Sequence, residues 1–500
     1  MPSEAEEKPE GRKEPSGKIR FRRLDREQVS FVVRDWESLL APDHAARAIW
    51  NLAGRLDWSE FEESILSREQ TGGRAVWEPR LLASVWMYAY TLGVGSARAV
   101  ERMQGYEPGL QWLTAGETIN HHTLSDFRIC EIQKLERLFS RVLAVLDQDG
   151  LIDLSVVMQA GTKIQAVAGK QSMHRRKTLE EHLAQAREVV AELGSQCQSE
   201  SEEQTETGVR RRARQRVAQL EQTLEVLGER EQAAEAGRRE QVRASESEPE
   251  VRKMKHSDGG WRPSYNVQIV TEAAHQVIVG ITVTDAANDL HELLGGVELV
   301  EQNLGQKPVT MVADGGYATR DNVEQMARKE VVLVTPWKSE QARQAGVQRK
   351  HGIEASLGPA AFVAEGDALR CPNGKLLTFA GVRILHDLPQ RVYEASADDC
   401  AACPRKPHCC PRRKARQIRQ PEESAAMQQY LQRMREPAMQ QLYRKRAAVA
   451  EYPNLWMKHL RKWRRFSVRG KAKACREALW RAISYNAEQW IRVLRPPQAA

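Results

Sequence analysis

Cysteine is scarce in this 500-residue chain, with 8 in all, and a disulfide scaffold is excluded because a chain of this length buries a core without staples. Aromatics are few, at 6%, so those interleaved with basic residues near the C-terminus stand out. Long apolar runs are missing: no stretch approaches the length of a membrane span, and MPSEAEEKPEGRKEPSGK has no apolar signal-peptide core. The expectation is a soluble cytoplasmic protein with no membrane partner.

What is present begins with charge. Lys plus Arg number 75 against 67 for Asp plus Glu, a formal net charge of +8, and the excess sits in the last hundred residues. A basic block that contains Trp and Tyr favours a polyanion such as nucleic acid over a membrane surface. Length sets two to four domains.

Met1–Lys18 reads as a flexible tail. From Phe31 to Gly150 the apolar spacing is helical, in Arg80–Leu92, Ala97–Met103 and Ile132–Leu146, which predicts a small all-α domain over residues 19–150. Within it TINHHTLSDFR offers Asn120 or Thr123 as a helix cap. A helix-turn-helix there would set Thr123, Ser125 and Arg128 against a DNA groove, and an ordinary capped helix pair fits equally well.

After Gly150 the signal turns to β, at Leu154–Ala168, Tyr265–Thr271, Val277–Thr284, Val309–Ala313 and Val331–Thr335, with a helix over Leu290–Gln302. This order predicts an α/β fold, a mixed sheet flanked by helices. The stretch 174–255 reads as a helical insertion, two charged helices joined by a disordered bend at Ser195–Thr207, with its charged faces solvated. Residues 341–439 form a cysteine-bearing and basic segment. Residues 440–500 return to helix.

Four places carry candidate chemistry. VTMVADGGYATRDN runs a buried strand into Asp314 at its C-terminal edge, where ligands bind in open α/β sheets. The helix Arg469–Arg492 holds Glu477 away from its apolar stripe of Cys475, Leu479, Ile483 and Trp490, on the side a solvent-facing glutamate occupies. Cys371, the pair Cys400 and Cys403, and Cys409 or Cys410 have the spacing of a four-sulfur structural Zn2+ site. Arg412, Arg413, Arg464, Arg465, Arg469, Lys471 and Lys473 form a phosphate-contacting surface, in which Trp456, Trp463 and Phe466 are expected in the core rather than as base platforms.

Six stretches taken in order are more specific than any one: PDHAARAIW, LLASVWMYAYTLGVGSARAVE, AGTKIQA, MKHSDGGWRPSYNVQ, VADGGYATRDN and the run from Ala450 to Asn486. Together they resemble bacterial insertion-sequence DDE transposases over nearly the whole chain. The resemblance implies a ribonuclease H-like catalytic domain from 151–340 and 440–500, and a helical DNA-binding domain before it. It also implies a two-Mg2+ site for strand cleavage and joining, double-stranded DNA partners (element terminal repeats and target), a homodimer on DNA and a nucleoid-associated location. Asp314 maps to the second metal-binding carboxylate and Glu477 to the third.

The first carboxylate maps to Ala160, in VVMQAGTKIQA. A methyl group cannot bind metal, and Asp153, seven residues upstream, would need a register shift that flips the strand's faces. The expectation is therefore a transposase that binds DNA ends but does not cut. Two alternatives remain open: a catalytically silent DNA-binding regulator with the same fold, and a metal-dependent nuclease without strand transfer.

Overall fold

A computed structural model describes residues 35–63, 65, 76–195, 208–337, 352–385 and 388–494. The tail expected at Met1–Lys18 and the bend after Ser195 lie outside the described residues.

The N-terminal part is helical: α1 (Ala45–Gly54), α2 (Ser59–Glu62), α3 (Pro79–Thr91), α4 (Ala97–Met103), α5 (Pro108–Leu113), α6 (His121–Arg128) and α7 (Ile132–Gln148). Helix α3 starts on a proline at its first turn and is buried nearly all round, from Leu82 to Thr91. Asn120 caps α6 by accepting from Thr123 N–H. Helix α7 buries one stripe, Leu135, Leu138, Phe139, Val142, Leu143 and Leu146, each worth roughly 1.5–3 kcal/mol before entropy.

The central sheet contains β1 (Val156–Gln165), β4 (Arg252–Lys255), β5 (Trp261–Glu272), β6 (Ile278–Thr284), β7 (Thr310–Val312) and β8 (Val332–Val334). Across it the order is β6, β5, β1, β7, β8, the first three antiparallel and the last two parallel to β1, with β4 beside the start of β5. The five strands expected from sequence are all present. Strand β4, assigned from sequence to the helical insertion, belongs to the sheet.

The insertion is β2 (Met173–His174), α8 (Arg176–Ser195), α9 (Gly208–Ala233) and β3 (Ala244–Ser245). Leu179, Leu183, Leu220 and Leu227 form a small core between its two helices. Strands β2 and β3 pair at its root.

Helices α10 (Leu293–Leu304) and α11 (Arg320–Arg328) follow β6 and β7. The cysteine-bearing segment is a second sheet, β9 (Val363–Glu365), β10 (Ala368–Arg370), β11 (Leu376–Leu385), β12 (Leu388–Ala395) and β13 (Gln417–Pro421), antiparallel throughout, with short helices α12 (Ala397–Ala401) and α13 (Lys406–Cys409). The chain then runs through α14 (Ala425–Arg433), α15 (Pro437–Leu455) and α16 (Lys471–Leu494).

Helix α16 lies antiparallel along the free edge of β6. Asn486 accepts from Ile278 N–H at 2.9 Å and donates to Ile278 C=O at 2.8 Å, and Cys475 Sγ approaches Val283 C=O at 4.0 Å. Its other sides pack on α3 and α7. The C-terminal helix thereby joins the helical part to the sheet.

Candidate catalytic face and nucleic-acid interface

Strand alternation gives the sheet two different faces. On one, Ala160 is 5% exposed and shares an apolar cluster with Met158, Val312, Val334, Val449 and Ala450. The last two belong to α15, which crosses this face over β1 and β5. On the other, beneath α10, the side chains are polar and bonded to one another.

That polar face is built from residues two apart on neighbouring strands. Gln159 Nε2 donates to Gln268 Oε1 (2.9 Å) and to Glu292 C=O (2.9 Å), and Tyr317 Oη–H donates to the same Gln268 oxygen (2.6 Å). Asp289 Oδ1 accepts from Asn266 Nδ2 (2.7 Å) and Gln268 Nε2 (2.6 Å). Burial, helped by the nearby Asp289 and Asp314 carboxylates, pushes the Tyr317 phenol well above its ordinary range, so it stays a hydrogen-bond donor. Burial likewise raises the Glu292 carboxyl.

Asp314 follows β7 at its C-terminal edge, as its sequence implies, and accepts from Gly316 N–H at 2.6 Å. Met311 and Ala313 join the main core while Val312 joins the Ala160 cluster. Continued alternation puts Asp314 on the Ala160 side.

Glu477 is a different case. Its expected solvent-facing position is corrected by the structure: it is 1% exposed, accepting from Ser467 N–H (2.9 Å), Ser467 Oγ–H (2.7 Å) and Arg481 Nη2 (3.0 Å). Residue 477 lies about 200° around α16 from Cys475 at ~100° per residue, turned from the β6 edge toward α3. Gln165, five residues past Ala160 and thus roughly 15 Å along the strand, is bridged to Arg465. Glu477 is held two residues beyond that bridge, at Ser467, and no hydrogen bond or ion pair among the described residues joins it to Asp314.

The carboxylate carried over the Ala160 face is Glu451, on α15 directly after Ala450. It is exposed, and accepts from Arg446 Nη1 (3.3 Å) and Asn454 Nδ2 (3.4 Å). Tyr452, one residue on, packs on Tyr485 of α16, so Glu451 and Asn454 fall on the flank of α15 turned away from α16. Asn454 is 8% exposed and its Oδ1 has no hydrogen-bond partner among the described residues. Sequence reading passed over Glu451; its signal was an acidic residue directly after a buried Val-Ala pair. Asp289 had no comparable signal, but Asn266 and Gln268, polar and two apart on a buried strand, flagged the face it serves.

Most of the basic residues named from sequence lie on the surface. Arg412, Arg413, Arg464, Arg465, Arg469 and Lys473 are exposed, and Lys471 pairs with Asp285 at 3.3 Å. Trp456, Trp463 and Phe466 are core, as expected. Arg128 is a correction: it is 7% exposed, donates to Gly95 C=O and Ser467 Oγ, and stacks on the Trp86 ring at 4.8 Å. It holds α6 to the segment before α16 and does not face a groove.

Cys371, Cys400, Cys403, Cys409 and Cys410 line one small cavity of about 40 Å3. Lys375 N–H donates to Cys371 Sγ at 3.3 Å and Arg416 N–H to Cys400 Sγ at 3.4 Å. Burial raises the Cys409 thiol, with Cys400, Cys403 and Cys371 adding to it, and burial with Cys400 and Cys409 pushes Cys410 up to about 11.

Two family models match the chain. Residues 34–129, the helices α1 to α6, match a transposase domain (DUF772), and residues 370–491 match a transposase DDE domain. These two stretches are similar to transposase domains. No curated protein matches the chain. The DDE match begins at the cysteine sheet and ends in α16, so it takes in both Glu451 and Glu477.

Proposed function

We propose that the chain binds the DNA ends of an insertion element through its basic C-terminal surface and is impaired in cutting them. The single observation that carries this is Ala160, a methyl group on the sheet face where α15 carries Glu451 and where Asp314 follows β7. The strand order β6, β5, β1, β7, β8, three antiparallel strands and then two parallel ones, supports a ribonuclease H-like catalytic domain.

The donors on that face are hard oxygens: the Asp314 and Glu451 carboxylates and the unpartnered Asn454 Oδ1. They fit Mg2+, which takes few protein ligands beside water and phosphate oxygens. The chemistry a Mg2+ pair supplies in such sites is activation of the attacking oxygen and stabilisation of the leaving one. This chain's own residues would hold one side of the pair; Ala160 provides no bridge between two ions. Glu477, assigned by resemblance, is engaged by Ser467 and Arg481, so the geometry favours Glu451 for the third carboxylate.

Arg464, Arg465, Arg469 and Lys473 would track phosphates, an attraction that falls with salt and carries no sequence information. Arg412 and Arg413 extend it, and a homodimer would hold two ends. The five cysteines around one cavity, two of them accepting backbone N–H bonds, support a structural Zn2+ on Cys371, Cys400, Cys403 and Cys409; metal-free protein on purification under mild conditions would count against it. Among the described residues no helix is long and apolar enough to cross a membrane.

The test is a gel shift and a Mg2+-dependent cleavage assay on DNA from both flanks of the gene. Binding without cutting is expected, with cutting gained by Ala160→Asp. Robust cutting by the unaltered chain defeats the proposal. A purely regulatory DNA-binding role is the second reading, favoured if Ala160→Asp binds but still does not cut.

A further inference from the structure

The helical insertion contains a cluster that neither the family match nor the catalytic face explains. His174 ends β2, His182 lies on α8 and Glu246 directly follows β3, so the root of the insertion brings together residues from its start and its end. One oxygen, Glu246 Oε1, meets His182 Nδ1 in a short contact and His174 Nε2 at 3.5 Å. All three ligand atoms lie within 4.8 Å of one another. The imidazole rings stand edge to face, with centroids 5.3 Å apart.

We propose that His174, His182 and Glu246 form a binding site for a zinc-class divalent ion. Two neutral imidazole nitrogens and one carboxylate oxygen are the borderline donors such an ion prefers, with an open position for water. The 3.5 Å separation of His174 Nε2 from Glu246 Oε1 matches the edge of a tetrahedron with bonds of roughly 2.0–2.2 Å. It is long for a hydrogen bond. The other Glu246 oxygen is held by Arg216 of α9, an outer partner that fixes the carboxylate and leaves Oε1 for the ion.

Glu246 is 8% exposed, so an ion here is shielded and binds the two ends of a long insertion. Closing that loop in the unfolded chain carries an entropy cost that a bound ion offsets. The ion therefore acts as a staple at the base of α8 and α9. Catalysis is not required of it.

The experiment uses the full chain, stripped with chelator and titrated with Zn2+, beside a Cys371→Ser/Cys400→Ser/Cys403→Ser/Cys409→Ser/Cys410→Ser variant that removes the cysteine contribution. The cysteine variant is expected to bind one Zn2+, with an X-ray absorption spectrum showing nitrogen and oxygen neighbours and no sulfur. Adding His174→Gln and His182→Gln, which keep hydrogen-bonding capacity and bulk, should weaken binding at least about 100-fold, about tenfold or more for each lost ligand. Zinc should also slow amide exchange in α8 and α9 of the cysteine variant at least about tenfold. A cysteine variant that binds no zinc, or whose bound zinc has sulfur neighbours, overturns the site. So does unchanged zinc affinity after both histidines are replaced.

Discussion

The Asp289 carboxylate occupies the space that a side chain at residue 161 would need: a Cβ built on Gly161 would lie 2.3 Å from Asp289 Oδ1 and 2.6 Å from Gln268 Nε2. The glycine after Ala160 is thus required by close approach. Its φ is ordinary, so conformational freedom plays no part.

Gly161→Ala should therefore destabilise the chain by about 1–3 kcal/mol, the usual cost of overpacking, while breaking the Asp289 bonds to Asn266 and Gln268. Urea unfolding measures it. Pairing the change with Asp289→Ala should recover part of the loss, since the two residues touch; additive losses would contradict the contact.

Ala160→Asp puts a carboxylate against Val449 and Ala450. In Mg2+-free buffer it should lower stability by roughly 1–3 kcal/mol or more. Millimolar Mg2+ should then raise the melting temperature of the variant more than that of the parent, because an ion that binds only the folded state stabilises it. Equal responses would remove the metal assignment from this face.

Glu451 and Glu477 can be separated by the same measurement in the Ala160→Asp background. Glu477→Gln leaves the buried Arg481 guanidinium without its partner, at 3% exposure, and should cost about 3–5 kcal/mol while leaving the Mg2+ response intact. Glu451→Gln, on an exposed position, should change stability by no more than about 0.5 kcal/mol and abolish the Mg2+ response. The opposite pattern would restore Glu477 as the metal ligand.

Asp149 accepts from Arg55 Nη1 at 2.6 Å and from Trp490 Nε1 at 2.7 Å, joining α1 to α16. Arg55 chiefly, then Trp490, hold its carboxyl below the usual aspartate range. A depressed carboxyl stabilises the fold above its unfolded pKa, and the contribution is lost as pH falls through the folded value. Asp149→Asn should therefore remove about 1 kcal/mol or less at neutral pH and nothing at pH low enough to protonate both states. Denaturant midpoints from neutral to strongly acidic pH would show the two curves converging; a constant gap would refute the linkage.

Element order and the strands of the main sheet were legible because apolar alternation and turn residues encode them locally. Ala160 and Asp314 were legible as positions for the same reason, each at a definite point on a strand. Helical phase alone gave Glu477 the look of a solvent-facing residue because it tells which residues share a side, not what packs there: α3 covers that side of α16, and Arg481 one turn on supplies the counter-charge. Arg128 failed similarly, a basic residue on a polar helix that tertiary packing buried against Trp86. The His174, His182 and Glu246 cluster could not be read at all, since its members are separated by the whole insertion and meet only when β2 pairs with β3.

The bonds from Asn486 to both backbone groups of Ile278 do more than position α16. They occupy an amide and a carbonyl on the outer rim of β6, which would otherwise be an open template for another chain's strand. The last helix is a guard on that rim, and a chain ending before Lys471 would expose an apolar, unpaired edge. Its expected fate is self-association through β6 rather than a smaller folded protein.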